Sequence, residues 1–525
     1  MCGIAGELRQ QHSSRAHDPG VSIGILAHRG PDHEGRAAGD GWSLGFRRLS
    51  IIDLSPNGHQ PMRSPDGRYV IVFNGEIYNY LELRSGMSEM PWTPRGSSDS
   101  EVLLMRLAQE GASALPKLNG MFAFCFIDTT ERTFILARDR LGVKPLYYRK
   151  TKDSLAFASE LKGLLALDSG SPFAVDDSAI VTYFSLNYLP NEKVIFKGVE
   201  RVPPGHYLHG SLDVPEKVSA RRYWALEIDP SDSRDELSVA ELDELDALLE
   251  DAIRLRLRSD VPVGVFLSGG IDSGLVAHYA AKAGGDLTTY TVAFDEADYD
   301  EHVLAAATAR HCGLPNVVIP HKPARLADID RLFWYFDEPF GDSSALPTFA
   351  LCEAVREHGK VFIGGDGGDE AFGGYRRYIE AMRYRALALV PDAMTGLLKS
   401  VARHLSPLST LQYQFFKASL PDAGFAADFD FIPNDPVLDL IAGDRIRPFL
   451  KEAGASVDSR WSESRGRDLL ARMQQLDYDL CLPGGVLVKV GGASMANSIG
   501  VREPLLDYRV IRAHDHRYHA LGIDV

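Results

Sequence analysis

The chain has 525 residues, 45% of them hydrophobic and 24% charged, with a formal net charge of −16. This is globular composition, long enough for two to four domains at about 100–200 residues each. The acidic balance excludes wholesale electrostatic binding of nucleic acid. No apolar run reaches the ~18–20 residues that cross a bilayer, and the first residues lack a secretory leader's basic-then-apolar pattern.

The five cysteines, Cys2, Cys125, Cys312, Cys352 and Cys481, form no C-x-x-C pair. That argues against a zinc site or a disulfide framework and fits a reducing cytoplasm. Cys2 follows Met1 directly. Once Met1 is removed, one residue carries both a thiol and an α-amine able to take its proton, the logic of an N-terminal nucleophile.

Residues 1–210 read as short strands broken by Gly, Pro, Asn and Asp, among them Tyr69–Phe73, Phe122–Ile127 and Thr133–Ala137. A helix is expected over Asp99–Gln109, with Leu103, Leu104 and Leu107 on one face. Together these predict an α+β layered domain. Asn74-Gly75-Glu76 follows an apolar strand. It reads either as a hairpin turn or as an oxyanion hole built from the Asn amide and the Gly N–H. Asp99 is either a helix-start residue or a partner for a substrate amine. Arg29 and Arg48 each offer a fork that can clamp a carboxylate.

Residues 211–240 are polar, including the run Asp229–Glu236, and read as a linker. From Glu241 the pattern changes to an amphipathic helix, an apolar strand over Val263–Leu267, a helix over Leu275–Ala281, a strand over Thr289–Phe294, a helix over His302–His311 and a strand over Val361–Ile363. This alternation predicts a doubly wound parallel sheet with ligands beyond the strands' carboxyl ends. From Arg376 onward the sequence reads as mainly helical.

Ser268-Gly269-Gly270-Ile271-Asp272-Ser273-Gly274 joins the first of these strands to its helix. Glycines permit close approach to an anion, and N–H groups at a helix start favour negative charge. The chain has no G-x-x-x-x-G-K-[ST], so the loop is not of the Walker type. A second turn, Gly364-Gly365-Asp366-Gly367-Gly368-Asp369-Glu370, follows Val361–Ile363. It is either a solvated acidic loop or the partner of the first across the strand ends. In the second case Asp272 and Asp369 would jointly hold Mg²⁺ with phosphate oxygens.

These segments resemble the glutamine-hydrolysing asparagine synthetases. The N-terminal half is similar to class II glutamine amidotransferases in Met1-Cys2-Gly3-Ile4, Arg29–Asp32, Arg48–Ile51, Asn74–Glu76, Ser98-Asp99, Arg138–Gly142, Lys144–Tyr147 and Ser159–Lys162. The second half resembles the synthetase domain in Ser268–Ser273, Asp337–Pro339, Asp342–Ser344 and Gly367–Tyr375.

The resemblance implies an αββα Ntn-hydrolase layer over 1–210 and an ATP-pyrophosphatase (PP-loop) domain over 241–525. It implies that Cys2 attacks glutamine while Asn74 and Gly75 hold the oxyanion. Arg48, Leu49, Ile51, Ile52, Glu76 and Asp99 would then line the glutamine pocket. Ammonia would cross inside the protein to a site where ATP–Mg²⁺ activates aspartate as an acyl-adenylate. Leu267, Ser268, Gly269, Gly270, Asp272, Ser273, Val292, Gly364 and Gly365 would surround the nucleotide. Asp366 stands where the family usually has the longer Glu tied to intermediate formation. Small-molecule substrates are expected, with no nucleic acid and no membrane, and the resemblance leaves a homodimer open.

The departures are Gly491 and Gly492 in place of an Asp-Arg pair, Gly484 and Gly485 in place of acidic residues, and a stop at Val525 without the family's basic C-terminal extension. Loss of positive charge near a leaving pyrophosphate is expected to weaken the synthetase step. Two other readings are an amide ligase for a different carboxylate and a degenerate glutaminase or regulatory relative.

Overall fold

Side-chain alternation along the first strands decides the N-terminal architecture. The computed structural model describes residues 1–10, 17–167, 173–226, 238–294, 300–320, 326–384, 447–452, 455–464 and 469–515. The chain first builds two six-stranded sheets. One has the spatial order Val199–Arg201, Tyr147–Lys150, Ser154–Ala158, Gly3–Arg9, Trp42–Arg48, His33–Gly39. The other has the order Ala220–Arg222, His206–Ser211, Thr133–Arg138, Gly120–Asp128, Tyr69–Ile77, Met62–Arg63. Every pairing in both is antiparallel.

Successive strand residues face opposite ways. Ile4, Leu8, Leu44 and Phe46 of the first sheet therefore meet Val72, Cys125 and Leu136 of the second in one core. Their neighbours Phe73, Phe124 and Ile135 point outward and pack with Leu103, Leu104 and Leu107 of helix Asp99–Glu110. On the other side, Ala5 and Ala158 pack with Ile23 of helix Gly20–Ile25 and Leu164 of helix Leu161–Leu167. The expected αββα layering follows.

Two expectations about this half are corrected. Strand Tyr69–Ile77 runs straight through Asn74-Gly75, with Asn74 opposite Ala123 and Gly75 opposite Phe122, so this is no hairpin turn. The expected end at 210 also falls short. Ala220–Arg222 adds an edge strand against His206–Leu208, inside the stretch read as linker. The run Asp229–Glu236 lies outside the described residues.

Helix Val239–Arg256 opens on a capping box in which Ser238 and Glu241 satisfy each other's backbone N–H groups. It leads into a parallel sheet of five strands in the order Asn316–Pro320, Thr288–Ala293, Val263–Phe266, Val361–Ile363, Gly500–Arg502. Val265, Val361 and Ile363 pack with Leu249 and Ile253 of that helix and with Val276 and Ala280 of helix Ile271–Ala283. On the opposite face, Tyr290 and Phe362 pack with Phe349 and Cys352 of helix Ala345–Val355 and Ala493 of helix Leu487–Ala496. Helices on both faces make the sheet doubly wound.

The strands Asn316–Pro320 and Gly500–Arg502 close the two edges and were not expected from the sequence; the second is only three residues long, too short to show a period. The helical reading beyond Arg376 holds for Arg376–Tyr384, Ala455–Glu463, Leu469–Leu476 and Leu487–Ala496. Between the last two lies a π-helical stretch, Asp477–Val486, that contains Pro483. Residues 385–446 lie outside the described part. Among the described residues no helix is long and apolar enough to cross a membrane.

The two halves share interior. Leu49 and Ile51 of the first are part of the core of the second. Arg502 and Glu76 form a buried two-pronged ion pair across the junction, at 2.7 and 2.9 Å.

Candidate active sites

Pairing of the first strand with Trp42–Arg48 places Cys2 at the edge of a small cavity. The cavity is lined by Met1, Cys2, Arg48, Leu49, Ile51, Ile52, Gly75, Glu76 and Asp99, among others. Asn74 lies fully buried behind it. Its Oδ1 accepts the Cys2 N–H at 2.8 Å. Its Nδ2 has no hydrogen-bond partner among the described residues, which is rare for a buried donor. Gly75 has φ 152°, and a Cβ there would sit 2.0 Å from the Met121 carbonyl oxygen. Only glycine lets the strand pass so close at this point.

The other polar residues divide. The Arg48 guanidinium donates to the carbonyls of Ser55 at 2.9 Å, Ile52 at 3.4 Å and Asp53, and no carboxylate among the described residues is within ion-pair reach. Asp99 is buried and accepts the Ile77 N–H at 3.0 Å. Burial pushes its carboxyl up to about 6, with nearby Glu76 adding to the rise. Capping of its helix falls to Ser98, whose hydroxyl accepts the Glu101 N–H at 3.2 Å. Among the described residues Asp99 has no ion-pair partner.

Two residues take roles the sequence did not suggest. The Glu76 carboxylate, expected toward glutamine, is held by Arg502, so only the remainder of Glu76 is left for the cavity. Arg29 donates to the Cys2 carbonyl at 3.0 Å and pairs with Glu160 at 2.7 Å. It therefore fixes the Cys2 backbone.

The second site is a cleft of about 950 Å³ at the carboxyl ends of the parallel strands. Leu267, Ser268, Gly270, Asp272, Ser273, Val292, Gly364, Gly365, Asp366 and Asp369 line it, as expected. Gly269 does not; its N–H donates to Glu301 Oε2 at 2.9 Å. The loop closes on itself through Ser268 Oγ and Ser273 Oγ, 2.9 Å apart.

The two Gly-rich loops meet because their parent strands are parallel neighbours. A Cβ at Gly368 would lie 2.4 Å from the Asp272 carboxyl carbon. Burial raises the Asp272 carboxyl to about 6, reinforced by Asp369 and then Asp366. Asp369 is raised by burial and by Asp366. Among the described residues no group of three or more His, Cys, Asp or Glu is arranged to hold a metal ion. Two mutually repelling carboxylates still suit a hard cation that keeps phosphate and water oxygens as its other ligands.

Lys489 was missed. Its Nζ lies 3.9 Å from Asp366 Oδ1 and 4.0 Å from Asp342 Oδ2, inside the cleft. The available signal was a lone lysine in the otherwise uncharged segment Leu487–Ala496. At Gly492 a Cβ would meet the Phe336 ring at 2.9 Å, and at Gly484 the Tyr188 ring at 2.8 Å, whereas Gly491 faces open space.

Between the sites lies a third, small cavity lined by Tyr78, Met121, Val143, Glu503 and Leu506, among others. The Met1 side chain packs against Tyr78, Met121 and Val143 and also borders the Cys2 cavity.

Comparison with known proteins agrees with this geometry. Residues 1–224 match the glutamine amidotransferase domain and residues 244–514 match the asparagine synthase family. The chain is 31% identical to asparagine synthetase [glutamine-hydrolyzing] 1 of Bacillus subtilis over 97% of its own length and 79% of that protein's. It is 33% identical to the putative asparagine synthetase [glutamine-hydrolyzing] of Mycobacterium bovis over 97% of its length and 81% of the relative's. It is 31% identical to amidase chry2 of Gibberella zeae over 89% and 72% respectively. Two sites, one built on a cysteine and an amide and one on two facing Gly-rich loops, thus stand in a chain that belongs to the glutamine-hydrolysing asparagine synthetase family.

Proposed function

We propose that the protein moves the amide nitrogen of glutamine onto the side-chain carboxylate of aspartate, using ATP, in the cytoplasm. The observation that carries this reading is the divided Asn74 amide: Oδ1 bound to the Cys2 nitrogen and Nδ2 without a partner among the described residues.

With Met1 removed, the Cys2 α-amine on Asn74 Oδ1 takes the thiol proton. The thiolate adds to the glutamine carboxamide carbon, and Asn74 Nδ2 donates to the oxyanion. The C–N bond breaks, the nitrogen leaves with the proton held by the amine, and water then hydrolyses the thioester to glutamate. Arg48 suits the substrate carboxylate and Asp99 its ammonium. Loss of Met1 also frees the space between the Cys2 cavity and the one lined by Glu503.

In the cleft, the acceptor carboxylate attacks the α-phosphorus of ATP and pyrophosphate leaves. Ammonia then displaces AMP from the acyl carbon. Ser268, Ser273 and the start of helix Ile271–Ala283 suit the phosphates, and Lys489 places a positive charge beside Asp366. Asp272 and Asp369 would hold Mg²⁺, which when bound offsets phosphate charge.

The test is pyrophosphate release against a panel of carboxylic acids, with glutamine and with ammonium. Release with aspartate and either nitrogen source supports the reading. Release only with another acid reassigns the acceptor, and glutamate formation without pyrophosphate release rejects synthesis.

A further inference from the structure

Glu503 is 6% exposed and belongs to neither catalytic constellation. Its Oε2 accepts the Asp366 N–H at 3.1 Å. Its Oε1 has no hydrogen-bond partner among the described residues. The carboxylate stands against Gly364, where a Cβ would meet Oε2 at 2.6 Å and Oε1 at 2.7 Å. Gly364 and Asp366 line the nucleotide cleft, and Glu503 itself lines the small cavity with Tyr78 and Met121 on the Cys2 side. One carboxylate thus forms the wall between the path of the nitrogen and the place where it is used.

A buried, unpartnered carboxylate oxygen is costly and calls for a ligand that donates to it. The nitrogen crossing from Cys2 is such a donor. It leaves Cys2 as ammonia, and the proton set free when water hydrolyses the thioester converts it to ammonium, which has no lone pair and cannot attack an acyl carbon. We propose that Glu503 is the proton acceptor that delivers the crossing nitrogen to the cleft as ammonia. One N–H bond of ammonium breaks, the electron pair stays on nitrogen, and the proton goes to Oε1. The acid form returns the proton to water in the cleft after the amide has formed. No other bond changes.

The electrostatic surroundings suit such a group. Burial, and then Asp366, hold the Glu503 carboxyl well above the ordinary range, while Lys144 and Lys489 oppose the rise. Tyr78 and Cys352 also feel its charge. Burial lowers Lys144 to about 8, with Arg29 adding to the drop, so its cationic pull on Glu503 weakens as pH rises.

The inference rests on the two-site reading above, and the test separates them. If the wild type forms no amide from any acid with glutamine or ammonium, the two-site reading fails. If it does, E503Q is compared with it. Glutamate release and pyrophosphate release should persist and report the fold, while glutamine-driven amide formation falls by about 10²-fold. The deficit should shrink as pH rises, because more of the nitrogen is then free ammonia, and E503D should recover part of the rate. Unchanged amide formation in E503Q, or a deficit that does not vary with pH, overturns the proposal. If E503Q does not fold, the wild type decides: glutamate and amide should form in equal amounts at high pH and diverge as the carboxyl protonates. A ratio independent of pH overturns the proposal equally.

Discussion

Each half of the reaction depends on single atoms. Cys2→Ala removes the thiol of the residue whose N–H bonds Asn74 Oδ1, so glutamate release should vanish while ammonium-driven pyrophosphate release continues; parallel assays of both products check this. With Asp99 on the substrate ammonium, as proposed above, its carboxyl sets the pH dependence of glutamine binding. Its carboxyl is raised to about 6, so it is charged above that pH and neutral below it. KM for glutamine should therefore climb as pH falls through about 6, with ammonium-driven turnover free of this effect, as steady-state assays across pH would show. In the cleft, Asp272→Asn removes a carboxylate that faces Asp369 and would share the cation. Pyrophosphate release should fall by at least about 10²-fold with glutaminase intact.

Elements hold these atoms by register. Strand Tyr69–Ile77 carries Asn74 and Gly75 through the middle of a sheet, paired to Ala123 and Phe122. Gly75→Ala would press a methyl onto the Met121 carbonyl oxygen, 2.0 Å away, at φ 152°. The backbone penalty alone is about 1–3 kcal/mol, and a lower unfolding temperature with loss of glutaminase should follow. Helix Asp99–Glu110 and strand Val361–Ile363 were legible in the sequence because each has a clear apolar pattern or clear Gly-rich punctuation. The Asn-Gly dipeptide was ambiguous, since the same two residues make a tight turn or a strand kept free of a Cβ. Register with Gly120–Asp128 decides between them, and register is a long-range property.

At the scale of the molecule, the halves are joined by buried charge. Arg502 and Glu76 are both nearly inaccessible, and Asp507 takes Arg256 at 2.9 Å and the Asn119 amide at 3.0 Å. Arg502→Met should leave Glu76 buried and unpaired, a loss of about 3–5 kcal/mol. Adding Glu76→Gln should restore much of it, which a double-mutant cycle of unfolding free energies would measure. These contacts also fix how Glu503, two residues from Leu505 in the shared core, stands between the sites.

The chain by itself determined the two-part architecture and the two Gly-rich turns that follow neighbouring strands, because each rests on local periodicity or on glycines whose freedom is local. Only the tertiary structure decided that Glu76 serves Arg502, that Arg29 holds Cys2, that Gly269 turns to Glu301, that Lys489 borders the cleft and that Glu503 stands against Gly364. Those roles depend on which residue lies opposite which across separations from 27 to 426 positions, and burial with charge pairing at such distances leaves no mark on the neighbouring sequence.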